Sequence, residues 1–252
     1  MIEFRNPHHI EPPSVLRQIL SHPANDTEVI ELAVFQEHRY AFFYWNKWMQ
    51  DNKPENPPCL VSLDWHQDLC YPCETEREWL DKLDLTSDAE VALFSWAKLA
   101  GNNDGHILCA AYLNLIGDIY VHCRQEMGPN TWQDEELIDT YGNKHTIKKF
   151  KTYEGLQDAL LKSSESSVFF DIDLDFFSVN NGLSDGSFEF TYLQEEEIRT
   201  MLDKDHPLIS WIFERIKEFT IATEPEHCGG LLKSNKFLDL ISDIYFNPEL
   251  FA

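Results

Sequence analysis

Two short apolar runs, each emptying into alternating acids, constrain this chain more than any other feature. Pro58-Cys59-Leu60-Val61-Ser62-Leu63 leads into Asp64-Trp65-His66-Gln67-Asp68, and Ser167-Val168-Phe169-Phe170 leads into Asp171-Ile172-Asp173-Leu174-Asp175. Each run has the length and bounds of a strand buried on both faces, and such a strand needs a layer of structure on either side. Carboxylates at the ends of buried strands are costly unless a cation opposes them, so the two motifs together predict a metal site.

The rest of the chain supplies those layers. Apolar patterning predicts strands over 28–35, 118–123 and 219–223, and helices over 41–50, 106–116, 153–162, 207–218 and 234–245. Ser87-Asp88-Ala89-Glu90 fits a capping box opening a helix through Leu99 closed by Gly101, and Thr191-Tyr192-Leu193-Gln194 fits a second one before a charged helix. Between them lies a polar loop over 178–188. Strands alternating with helices imply an α/β protein, a three-layer α/β/α arrangement around a mostly parallel sheet. Functional residues of such sheets gather beyond the carboxyl ends of the strands, where both acidic motifs fall.

At 252 residues and 43% apolar content, with no Pro/Gly/Ser-rich linker, residues 1–252 read as one domain. The net charge of −24, from 44 acidic against 20 basic residues, argues against nucleic acid or an anionic membrane as partner and suits a cationic substrate. The start Met1-Ile2-Glu3-Phe4-Arg5 is polar and no apolar stretch nears the roughly 18 residues of a membrane span, so the expectation is a cytoplasmic protein. Six scattered cysteines fit reduced thiols; Cys70-Tyr71-Pro72-Cys73 has the spacing of a redox motif or half a zinc site, without a second pair to complete it.

Asp64-x-His66-x-Asp68 followed by Asp171-x-Asp173, with His38 at the end of the first strand, resembles the paired motifs of the arginase/deacetylase superfamily. The phrasing around them looks closest to the peptide arginases of ribosomal-peptide pathways. That resemblance implies an arginase-like fold and two manganese ions per chain. One would be held by His38, Asp64, Asp68 and Asp171, the other by Asp64, His66, Asp171 and Asp173. It also implies hydrolysis of arginine side chains to ornithine and urea in a precursor peptide, with a leader segment as a further means of recognition. Four carboxylates and two imidazoles form a hard, oxygen-rich set that favours manganese over thiolate-type zinc. By the same resemblance His106 would shuttle a proton, and Glu224, with Glu226 as its alternate, would take the guanidinium in two parallel hydrogen bonds. An open aromatic mouth formed by residues such as Trp65, Tyr71, Phe176 or Phe177 would suit an arginine inside a chain.

Other readings stand beside this one. An Asp-x-Asp-x-Asp run can open a calcium loop, but Phe176 occupies the glycine position and Gly182 the terminal acidic one. A single Asp or His at a strand end is commonly a helix cap or a satisfied polar group. Asp175 falls on no position of the family pattern and reads as a support for the ligands or as structural. A deacetylase-like amidohydrolase with one zinc, and a non-catalytic metal-binding protein, are the competing functions.

Overall fold

The computed structural model describes residues 10–99, 102–126, 128–180 and 189–246. The expected closure of a helix by Gly101, and most of the polar loop over 178–188, lie outside them. A hairpin of β1 (Val15–His22) and β2 (Asn25–Phe35) opens the fold, and α1 (Ala41–Asn52), β3 (Cys59–Asp64), α2 (Glu74–Leu80), α3 (Asp88–Ala97) and α4 (His106–Tyr112) follow. Next come β4 (Ile119–Cys123), β5 (Glu135–Ile138), β6 (Lys144–Phe150), α5 (Tyr153–Leu160) and β7 (Val168–Asp173). A small hairpin of β8 (Ser178–Asn180) and β9 (Phe190–Tyr192), then α6 (Glu195–Met201), α7 (Pro207–Phe213), β10 (Ile216–Ala222) and α8 (Leu231–Tyr245) complete it.

Eight strands form one sheet in the order β1-β2-β10-β7-β3-β4-β6-β5. The six inner strands run parallel, and β1 and β5 close the edges antiparallel. Every residue of β3 and β7 is buried, as their unbroken apolar runs predict. Neighbouring residues feed opposite layers: Leu60 and Phe169 pack with Phe42, Val91 and Ile107 of α1, α3 and α4, whereas Val61 and Phe170 pack with Leu156, Leu208 and Ile241 of α5, α7 and α8. The result is the expected three-layer α/β/α architecture with a mostly parallel sheet.

Several boundaries differ from the sequence reading for local reasons. The helix predicted over 207–218 stops at Phe213, because Ile216 and Glu218 enter β10 in register with Val168 and Phe169 of β7. A central ladder position outweighs the helical spacing of a short apolar stretch. Helix α4 ends at Tyr112 rather than at 116, since Asn114 turns left-handed (φ 56°) and the Leu115 N–H returns to the Ala110 carbonyl. Thr191 is not the N-cap of α6: it lies in β9 opposite Val179, and the helix starts after Gln194. Ser87 does cap α3, accepting from the Glu90 N–H at 3.4 Å. Strands β1, β5 and β6 and helix α2 are additions that the apolar pattern alone did not mark.

No described helix is long and apolar enough to cross a membrane. One buried acid is a cost of the architecture. Glu218 of β10 is 1% exposed, neither carboxylate oxygen finds a hydrogen bond among the described residues, and burial pushes its carboxyl up to about 8 against the pull of Arg17 and Lys47. The folded chain therefore keeps a proton that the unfolded chain releases near 4.5, so this residue removes stability as pH rises between those values, at about 1.4 kcal/mol per pH unit, and none below. Glu218→Gln is expected to melt at a higher temperature than the parent at pH 8 and at the same temperature near pH 4.5. Thermal melts followed by circular dichroism check this, and equal differences at both pH values would refute it.

Candidate metal centre

Strands β2, β10, β7 and β3 are neighbours, and their carboxyl ends share one rim. His38 follows β2 in a single 3-10 turn, Asp64 ends β3, Asp173 ends β7, Asp175 sits in the 3-10 turn beyond it, and Glu224 follows β10. Asp64, Asp173 and Asp175 are built alike. Each gives one oxygen to a backbone N–H: Asp64 Oδ1 accepts from His66 at 2.7 Å, Asp173 Oδ1 from Asp175 at 2.9 Å, and Asp175 Oδ1 from Trp65 at 3.0 Å. Two of these are the local turns that Asp favours when its side chain meets the N–H two residues on. The third ties the β7 end to the β3 end.

The second oxygens turn inward. His38 Nδ1 lies 3.0 Å from Asp68 Oδ2, 3.2 Å from Asp173 Oδ2 and 3.5 Å from Asp64 Oδ2, and His66 Nδ1 lies 3.1 Å from Asp175 Oδ2. Yet His38 Nδ1, Asp64 Oδ2 and Asp175 Oδ2 are buried and make no hydrogen bond among the described residues. Donors around an octahedral ion at about 2.1 Å stand about 3 Å apart, so the spacing and the unused lone pairs fit ions, not hydrogen bonds. Ligand atoms of His38, Asp64 and Asp173 lie within 4.8 Å of one another, as do those of Asp64, His66 and Asp175, and Asp64 belongs to both groups.

Asp171 stands apart from these inward-turned oxygens. Its Oδ2 meets His38 Nε2 at 2.7 Å and the Ser62 hydroxyl at 3.1 Å, while its Oδ1 accepts from the Thr220 hydroxyl at 2.5 Å. Ser62 and Thr220 are its ladder neighbours on β3 and β10. In the neutral ring a proton on His38 Nε2 held by this carboxylate leaves Nδ1 as a lone pair facing the other acids, the arrangement by which a carboxylate orients a ligating histidine. Thus the structure gathers His38, Asp64, His66, Asp68 and Asp173, adds Asp175, and sets Asp171 behind the His38 ring.

The electrostatics agree. Burial, with Asp68, Asp175 and Asp173 adding to it, lifts Asp64 well above the ordinary carboxylate range; burial and then Asp175 take Asp173 up to about 7. Burial also opposes charge on His38, but Asp171, Asp173 and Asp68 outweigh it and hold its pKa well above the usual imidazole value. So many enclosed acids lack positive charge, and cations would restore it. The hard oxygen-rich donors suit manganese or another hard dication.

A cleft of about 330 Å³ opens over this cluster, lined by His66, Asp68, Asn103, Glu224 and His227 among others. Asp68, Asn103 and Glu224 hold left-handed backbones at φ 50°, 59° and 24°, a concentration of strain typical of functional sites. Glu224 is 4% exposed and Glu226 is exposed, so the turn at Pro225 directs only the former inward. Burial first, and Asp173 next, raise the Glu224 carboxyl well above its ordinary value. His106 is fully enclosed, stacked on Trp45, its ring 4.3 Å from that of His38; burial first, then His38, press its pKa well below 6.5. Its Nδ1 donates to the Asn103 carbonyl at 2.9 Å, which leaves Nε2 as an unpaired acceptor near His38 and Asp68.

Phe176 and Phe177 are core residues, so they do not line the mouth; Phe176 packs beneath the Arg124 guanidinium, which also covers Trp65. Tyr71 is exposed and bonds Glu135 at 2.9 Å. Cys70 and Cys73 are free thiols. Asn103, Ser62 and Thr220 escaped the sequence reading. The last two carried a signal, as hydroxyls inside otherwise apolar strands on either side of Asp171.

Neither a protein-family model nor a curated protein sequence matches the chain. Among solved structures it is similar to an arginase of Helicobacter pylori, with a TM-score of 0.42 and 14% identity over 84% of this chain and 74% of that one.

If these donors hold ions, metal analysis of the purified protein loaded with manganese should return two per chain. Asp64→Asn, which would serve both sites, is expected to lose metal outright, and Asp173→Asn and Asp175→Asn to lose one ion each. Asp171→Asn should keep the count and bind about 10 to 100-fold more weakly, as removal of an orienting carboxylate does. Undiminished binding in Asp64→Asn and Asp173→Asn would rule the centre out.

Proposed function

We propose that this chain is a manganese-dependent amidinohydrolase that converts arginine side chains within a peptide to ornithine and urea. The observation that carries the reading is the meeting of two kinds of group in one cleft: convergent carboxylate and imidazole donors, and at their edge the buried carboxylate Glu224 with one oxygen pinned by the His38 N–H and Asn103. In this reading His38, Asp64, Asp68 and Asp173 hold one ion, Asp64, His66 and Asp175 hold the second, and Asp171 orients His38. Bound there, the ions would neutralise the acids and supply a water acidic enough to act as nucleophile near neutral pH.

The remaining steps belong to the protein. Glu224 accepts hydrogen bonds from the planar guanidinium and presents its carbon to the cluster. Water adds to that carbon, the bond from it to the chain-side nitrogen breaks, and that nitrogen takes a proton to become the ornithine amine. His106 receives the proton of the water at Nε2 and returns one to the leaving nitrogen. The cation-seeking charge of the chain favours a guanidinium over a neutral amide. A peptide rather than free arginine is supported by the sequence resemblance and by the loop Leu69-Cys70-Tyr71-Pro72-Cys73, which offers few polar side chains for an α-amino and α-carboxylate group.

Incubation of an arginine-containing peptide with the manganese-loaded protein should lower its mass by about 42 Da per converted arginine, with urea released. Release of acetate from acetyl-lysine peptides by a protein holding one zinc would instead indicate a deacetylase, and no turnover of either substrate a binding protein. Glu224→Gln should raise KM for the peptide by about 10 to 100-fold. His106→Asn should lower kcat by about 10² to 10⁴-fold at unchanged metal content, and His227→Ala by far less.

A further inference from the structure

The glutamate that reaches into the cleft is not held by its own loop. Glu224 Oε1 accepts from the His38 backbone N–H at 3.1 Å and from the Asn103 amide at 2.6 Å, while Oε2 has nothing nearer than His227 Nε2 at 3.8 Å among its named partners. Asn103 sits in the loop before α4 and is 7% exposed. The same amide nitrogen reaches Glu37 Oε2 at 3.3 Å, and the Asn103 carbonyl accepts from His106 Nδ1. Its own Oδ1 is buried without a hydrogen-bond partner among the described residues, and the residue lines the cleft.

From these contacts we infer that Asn103 is a positioning residue that fixes Glu224 with Oε2 facing the cleft and, through its main-chain carbonyl, keeps the His106 proton on Nδ1; the inference rests on the function proposed above. The physical need is plain. A buried carboxylate on a strained backbone, beside other acids, is pushed away from them unless a donor pins one oxygen, and a charge-assisted bond from a side chain that is itself packed does this. Pinning Oε1 from two sides leaves a single oxygen edge for the substrate, so the plane of a bound guanidinium is set before it arrives. The left-handed backbone of Asn103 is part of the device. Asn tolerates φ 59° where most residues do not, and that turn is what brings the amide to Glu224 and the carbonyl to His106 together.

Asn103→Gly separates the two parts, because glycine keeps the left-handed turn and its carbonyl and removes only the amide. Asn103→Asp keeps the shape and turns a donor into an acceptor facing Glu37 and Glu224. Both variants should bind as much manganese as the parent. Asn103→Gly is expected to raise KM for the arginine peptide by about 10 to 100-fold with a smaller fall in kcat, and Asn103→Asp to raise KM at least as far. In a crystal structure of Asn103→Gly, Glu224 Oε1 should have left the His38 N–H. Parent-like KM in both variants, or Glu224 unmoved in that structure, overturns the inference. A parent without arginine turnover sinks the proposed function alone, since the position of Glu224 in the glycine variant still decides the role of Asn103.

Discussion

The structure turns on how carboxylates end buried parallel strands. Strands β3 and β7 are enclosed on both faces, so an acid at their tips has no solvent to face and must be satisfied by what the fold supplies. Among the described residues the fold supplies one backbone N–H to each of Asp64, Asp173 and Asp175. A carboxylate has acceptor capacity on two oxygens, and the half left over is aimed at a common region by the same turns that satisfied the first half. Ion-binding geometry arises here as the remainder of backbone hydrogen bonding.

Asp171 shows how a neighbouring position escapes that fate. It lies on the same face of β7 as Asp173, since residues two apart in a strand point the same way. The difference is in the adjacent strands. Asp171 is flanked in register by Ser62 and Thr220, two hydroxyl donors, whereas Asp173 pairs with Ala222 and lies beyond the last paired residue of β3. Satisfied by hydroxyls and by His38 Nε2, Asp171 is held in its charged form: burial opposes ionisation, and the contacts with His38 and Thr220 outweigh it, so its pKa falls below the ordinary value. One acid becomes a support for a histidine and the next a donor because the sheet runs out of hydroxyls between them.

This is also where the sequence was and was not legible. Unbroken apolar runs announced β3 and β7, and through them the layered architecture, because burial on both faces leaves no other composition possible. His38, Asp64, His66, Asp68 and Asp173 could be named from the motifs and the family resemblance they carry, and the structure gathers them at one rim. The division of labour among Asp171, Asp173 and Asp175 could not, since all three share one alternation and differ only in partners on other strands. Asn103 was invisible for a related reason: its role depends on Glu224, far away in the chain, and on a backbone turn that Asn permits without advertising. The edge strands β1 and β5, and β6 beside the latter, mix charged residues into their pattern and carry no apolar run to mark them.

The proposed function requires two kinds of cation to be told apart in a single acidic cleft, and the geometry offers a means. A field from a chain of net charge −24 attracts any cation and selects none. Selection has to come from donor placement. Around His38 the inward oxygens stand 3.0 to 3.5 Å from Nδ1, a spacing that encloses a small spherical ion and leaves no room for a planar one. Glu224 has its first oxygen tied to the His38 N–H and to Asn103, which restrains it although one of its oxygens lies within 4.8 Å of those of Asp173 and Asp175. A compact dication would gain most from the converging set and a guanidinium from the pinned carboxylate at its edge. In that reading the backbone N–H of His38 joins the two sites: the residue whose ring would face the ions would also set, through its main chain, where the second cation lies.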